Sequence, residues 1–129
     1  MSKTGPRSAI IGAAWLLIAG SPASAHHSEV MYDHGKTIVV DGTVKEFRFG
    51  NPHSILTLTA KKADGTEAEW KLDTGGPSGL LRFGVDEKSF LAGERLTVTA
   101  YPLRSGALGG AIIRVVKPDG ATFVIENAR

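Results

Sequence analysis

From Thr37 onward the apolar residues return at every second position, the period of a strand with one buried face. Ile38, Val40, Val44, Phe47 and Phe49 mark a long first strand, but their parity changes between Val44 and Phe47. One face can stay buried through that change only if an extra residue is inserted. A bulge is therefore expected near Lys45-Glu46, with Gly42 as a second bend point. Asp41-Gly42 could instead form a two-residue hairpin turn, which would leave a very short first arm.

Gly50-Asn51-Pro52-His53 interrupts the alternation, because proline cannot donate to a ladder and Asn-Pro starts turns. Leu56, Leu58 and Ala60 give a second strand, and Asp64-Gly65 a hairpin turn. In the third strand Ala68, Trp70 and Leu72 point inward, between Glu67, Glu69, Lys71 and Asp73 pointing to solvent. Pro77 suits the first position of a short helix carrying Leu80 and Leu81. Asp86 can cap a further turn that ends at Phe90-Leu91, with Gly93 past its end. Leu96, Val98 and Ala100 form strand four, and Leu103–Gly110 a glycine-rich loop. Ala111–Val116, apolar on both faces, reads as a central strand. Pro118-Asp119-Gly120 turns the chain into a last strand around Phe123 and Ile125.

Three strands, a short helix and two strands, with a long kinked first strand, is the order of an OB-like antiparallel barrel. An open β-sandwich with a covering helix fits the same pattern. In a barrel of this kind, the strand 2–3 face and the loops Gly50–His53 and Leu103–Gly110 form the binding surface.

The segment ahead of the strands predicts an address. Lys3 and Arg7 precede an eleven-residue apolar run, Ala9–Ala19. Gly20-Ser21-Pro22 breaks the run, and Ala23-Ser24-Ala25 fits the small-x-small cleavage rule. Eleven residues fall short of the roughly 17–25 needed to span a membrane. We expect a signal peptide over 1–25, an N-terminal arm over 26–36 and the barrel domain over 37–129, in a periplasmic or secreted protein with no membrane span after cleavage.

Charge sharpens this picture. Lys3 and Arg7 are two of the 15 basic residues, so His26–Arg129 carries 13 basic against 13 acidic side chains. A nucleic-acid binder depends on unbalanced Lys and Arg that release counterions, so no nucleic-acid partner is expected. There is no cysteine, which excludes disulfides, thiol catalysis and Cys-ligated metal.

Several stretches resemble one family of small exported bacterial proteins, the domain of unknown function family 6152. They include Ala25-His26-His27-Ser28, Met31-Tyr32-Asp33, Gly42-Thr43-Val44-Lys45-Glu46-Phe47, Asn51-Pro52-His53-Ser54 and Trp70. Leu81-Arg82-Phe83-Gly84, Ala92-Gly93-Glu94 and Tyr101-Pro102-Leu103-Arg104-Ser105-Gly106 are similar to it as well. The chain departs from that pattern at Phe49, where many members have Trp, and at Asp73, where Glu is expected. The resemblance implies the fold and the exported address; no activity is attached to the family.

All four histidines lie within residues 26–53. Cleavage after Ala25 would make His26 the first residue, with an α-amine of ordinary pKa about 7.7–8.0 beside its own imidazole. Amine and ring nitrogen can close one chelate ring on a metal, with His27, His34, Asp33 and His53 as further ligands. Without thiolates or a Met-rich run, Cu(II) is favoured over Cu(I), with Zn(II) next. Tyr32, Asp33, Asn51 and Arg104 are the candidate binding residues around these histidines. The same residues also fit plainer roles: a solvated tail, a His53 that bonds its own turn, and a Tyr32 that packs the arm onto the barrel.

Catalysis finds less support. His53 and Ser54 are neighbours on an extended segment and point to opposite faces, and there is no Gly-x-Ser-x-Gly elbow. The glycines of 106–110 lack the Lys-Ser/Thr and helix of a phosphate cradle. The expectation is therefore a non-enzymatic binding domain for Cu(II) or another divalent metal. A protein- or small-ligand-binding module on the strand 2–3 face, with another periplasmic protein as a partner, and a copper-dependent redox enzyme are the alternatives.

Overall fold

The computed structural model describes residues 30–128. The leader 1–25, His26 and His27 lie outside the described residues. Among the described residues from Ile38 onward, six strands and one helix follow in order: β1 (Ile38–Arg48), β2 (Ile55–Lys61), β3 (Glu67–Asp73), α1 (Pro77–Arg82), β4 (Arg95–Pro102), β5 (Gly109–Val116) and β6 (Thr122–Val124). The hydrogen-bonded order is β3-β2-β1-β4-β5-β6, and β3 also pairs with β5 in parallel. That last pairing closes strands β1 to β5 into a barrel, and β6 adds to it as a hairpin on β5. Among the described residues no helix is long and apolar enough to cross a membrane.

Closure depends on β1, which serves both halves of the barrel. Its first part pairs with β4 and its second with β2, and Gly42 faces Leu96 on one side and Ala60 on the other. The bulge falls where the parity change predicts it. Val44 faces Leu58 and Glu46 faces Thr57, which leaves Lys45 as the extra residue. Val40 and Val44 are thereby buried upstream, and Phe47 turns back toward the core downstream. Asp41-Gly42 is inside the strand and makes no hairpin.

Buried alternation fills the interior with Leu56, Leu58, Leu72, Leu96, Val98, Ile112 and Val115. Trp70 points inward as expected but is half-buried and packs against this core. Pro77 opens α1, where it removes no needed hydrogen bond. Leu80 on that helix is fully buried, whereas Leu81 faces solvent. Asp86 closes its turn by accepting from the Lys88 N–H at 2.9 Å.

The glycine-rich loop is shorter than expected, because Gly109 and Gly110 belong to β5 and form the parallel seam. Gly109 faces Lys71, Gly110 faces Leu72 and Ala111 faces Asp73. A Cβ on Gly109 would collide with the Lys71 carbonyl oxygen, and one on Gly110 with that of Tyr101. Only glycine lets these backbones approach closely enough to close the barrel.

Candidate functional site

The hairpin between β2 and β3 sets a register in which Lys61 faces Glu67 and Ile55 faces Asp73. Pairing continues past the strand ends. The Thr74 N–H donates to the Ser54 carbonyl at 3.0 Å, and the Ser54 N–H to the Gly75 carbonyl at 3.1 Å. His53 therefore lies on the same face as Ile55, one diagonal step from Asp73, within reach of a side-chain contact. Its Nδ1 is 3.2 Å from Asp73 Oδ2, with the imidazole 41% and the carboxylate 20% exposed.

Ser54 is fully buried and closes the turn behind His53. Its Oγ accepts from the Gly50 N–H at 3.2 Å and lies 3.4 Å from the Gly50 carbonyl oxygen, to which it donates. The Asn51–Pro52 peptide is cis. Gly76 sits against this corner, where a Cβ would come within 2.8 Å of the Pro52 carbonyl oxygen. Asn51 itself is exposed.

The arm meets the corner from the other side. Tyr32 forms an isolated antiparallel bridge with Leu103. The Asp33 N–H donates to the Pro102 carbonyl and the Arg104 N–H to the Met31 carbonyl, both at 2.9 Å. Held in this way, the Tyr32 hydroxyl donates to Asp73 Oδ2 at 2.7 Å. One carboxylate oxygen thus accepts from the Tyr32 hydroxyl and also lies 3.2 Å from His53 Nδ1. The other, Asp73 Oδ1, is shielded from water and has no hydrogen-bond partner among the described residues.

The remaining candidates divide. Asp33 is engaged locally: its Oδ1 accepts from the Gly35 N–H at 3.1 Å, and its Oδ2 lies 3.3 Å from the Lys36 ammonium. The Gly35 N–H is the main cause holding its carboxyl below the usual range, with Lys36 and the Arg104 charge adding to it. Arg104 contributes its backbone N–H to the arm and is otherwise exposed. His34 is exposed and packs against the Tyr101 ring, with centroids 4.5 Å apart. Tyr101 in turn donates to Glu126. Among the described residues, no group of three or more His, Cys, Asp or Glu side chains converges to hold a metal ion. On the outer face of β2 and β3, Glu67, Glu69 and Lys71 are exposed charges, and Lys45 pairs with Glu69.

Asp73 is the residue that sequence reasoning missed. Alternation groups it with Glu67, Glu69 and Lys71 as a solvent-side charge, and only the register brings it to His53. The hairpin centred on Asp64 held that signal, because counting outward from it pairs residue 55 with residue 73.

Residues 13–113 match a family of unknown function, DUF6152. The chain belongs to this family. The match begins inside the Ala9–Ala19 apolar run and ends within β5, so β6 lies beyond it. Tyr32, His53, Asp73 and Arg104 of this DUF6152 protein all lie inside it. No curated protein and no solved structure matches the chain. Chemically, the corner presents a part-exposed imidazole with one nitrogen beside a carboxylate. A carboxylate beside Nδ1 would favour the tautomer with its proton there, leaving the lone pair on Nε2. A nitrogen so oriented can bind a metal ion or accept a hydrogen bond.

Proposed function

We propose that this DUF6152 protein is an exported binding domain, periplasmic or secreted, that holds Cu(II) between its N-terminal histidines and His53. The observation that carries this reading is the contact between His53 Nδ1 and Asp73 Oδ2 at 3.2 Å. Metal-ligating histidines characteristically donate their second ring nitrogen to a carboxylate, which fixes the tautomer and raises ligand basicity. Asp73 occupies that supporting place, and Tyr32 holds Asp73.

Chain length is compatible with convergence. His26 and His27 precede Tyr32 by six and five residues, an extended reach of roughly 17–22 Å. The His26 α-amine and imidazole supply one chelate ring, and His27 and His53 Nε2 complete a nitrogen-rich set suited to Cu(II). Binding without turnover is favoured by the state of Ser54, the nearest hydroxyl in sequence. Its oxygen is tied to the Gly50 backbone and does not face His53 as a nucleophile.

Titration of the processed, exported protein with Cu(II) tests this reading. The expected result is 1:1 uptake tighter than that of a free His-His-Ser-Glu-Val peptide, weakened by one extra residue ahead of His26. Uptake equal to the free peptide's would show that the folded domain contributes nothing.

A further inference from the structure

Exposure along the arm drops from 53% at Met31 to 4% at Tyr32. Tyr32 is therefore the anchor, and two backbone hydrogen bonds flank it, from Asp33 to Pro102 and from Arg104 to Met31. The anchor crosses a narrow place in the barrel. β3 and β5 meet over only three residue pairs, the last of them Asp73 with Ala111. Tyr32 joins the end of β3, through Asp73, to the chain leading into β5, through Leu103.

Asp73 Oδ2 belongs to this strap and to His53 alike. Ordering the Asp73 side chain for one donor presents the same oxygen to the other, so arm docking and the orientation of His53 favour each other. Coupling of this kind is reciprocal. We infer that Met31–Asp33 is a ligand-responsive strap, with Tyr32 a positioning residue for His53: a cation on His53 Nε2 fastens the arm across the β3–β5 seam, and a docked arm tightens cation binding. The cation as trigger rests on the copper reading above, whereas the coupling rests on the shared oxygen alone.

The test uses the processed, exported chain and Cu(II) as the probe, read by hydrogen exchange and by affinity. One equivalent of Cu(II) is expected to slow exchange at the Asp33 and Arg104 amides by about 5-fold or more, the lower end of typical coupling. Tyr32→Phe should abolish that slowing and weaken Cu(II) binding by a similar factor. In a His53→Ala background, Tyr32→Phe should leave the affinity unchanged, which a merely structural role for Tyr32 would not produce. Without metal, Asp73→Asn should speed exchange at the same two amides. Native affinity and native slowing in Tyr32→Phe would overturn the strap. Unchanged exchange in metal-free Asp73→Asn would overturn the coupling itself. If copper moves no amide while Asp73→Asn still frees the arm, copper fails as the trigger and the shared-oxygen coupling stands.

Discussion

Two regions of this small barrel are built on opposite principles. One is a run of aromatic rings, Phe47 to Phe90 at 5.1 Å and Phe90 to Phe123 at 5.4 Å, both edge to face. The other is the polar corner, where one oxygen of Asp73 serves Tyr32 and His53. Rings stabilise through buried area, which adds up over many atoms and tolerates small shifts. The corner relies on single atoms, and a change of one oxygen removes a contact there while barely touching the packing. Stability and the proposed binding should therefore respond to different substitutions.

The largest separation is expected from Phe90→Ala. It empties the middle of the aromatic run and should cost about 3–5 kcal/mol in denaturant unfolding, as large-to-small core changes do. The protein that remains folded should bind Cu(II) as the native chain does. Tyr32→Phe should show the reverse balance: a smaller loss of about 1.5–3 kcal/mol, from one hydrogen bond to a carboxylate, with a measurable loss of Cu(II) affinity. Equal effects of both substitutions on affinity would erase the distinction between the regions.

Acid should produce the smallest effect. The Gly35 N–H holds the Asp33 carboxyl below its ordinary range, the Thr66 hydroxyl does so for Asp64, and the Lys45 ammonium for Glu69. A carboxyl depressed in the folded state contributes stability that is fully present above its unfolded pKa and lost as pH falls through the folded one. Unfolding free energy should be flat from neutrality down to about pH 5 and decline below it. All three groups lie at the surface, so the decline should be shallow and should weaken further in high salt.

Much of the barrel was legible because burial leaves a period. The parity change around Lys45 revealed the bulge, and Pro77 marked the start of α1. Gly109 and Gly110 were illegible as a strand, since residues without side chains leave no period. What places them in β5 is a close backbone approach to Lys71 and Tyr101. The site was half legible. His53 and Tyr32 stood out by residue type, but the Tyr32–Asp73 hydrogen bond joins residues 41 apart, and no local pattern encodes it. Asp73 looked like one more outward charge, because alternation records which face a residue is on and not what lies diagonally across the ladder.

In this reading His53, oriented by Asp73, is a ligand of the folded domain. The most direct test is the Cu(II) affinity of the exported protein measured beside that of His53→Ala, with unfolding curves confirming that both are folded. Affinity falling in the variant by about 10-fold or more, toward that of the free His-His-Ser-Glu-Val peptide, is the predicted result. Equal affinities in two equally stable proteins would contradict it.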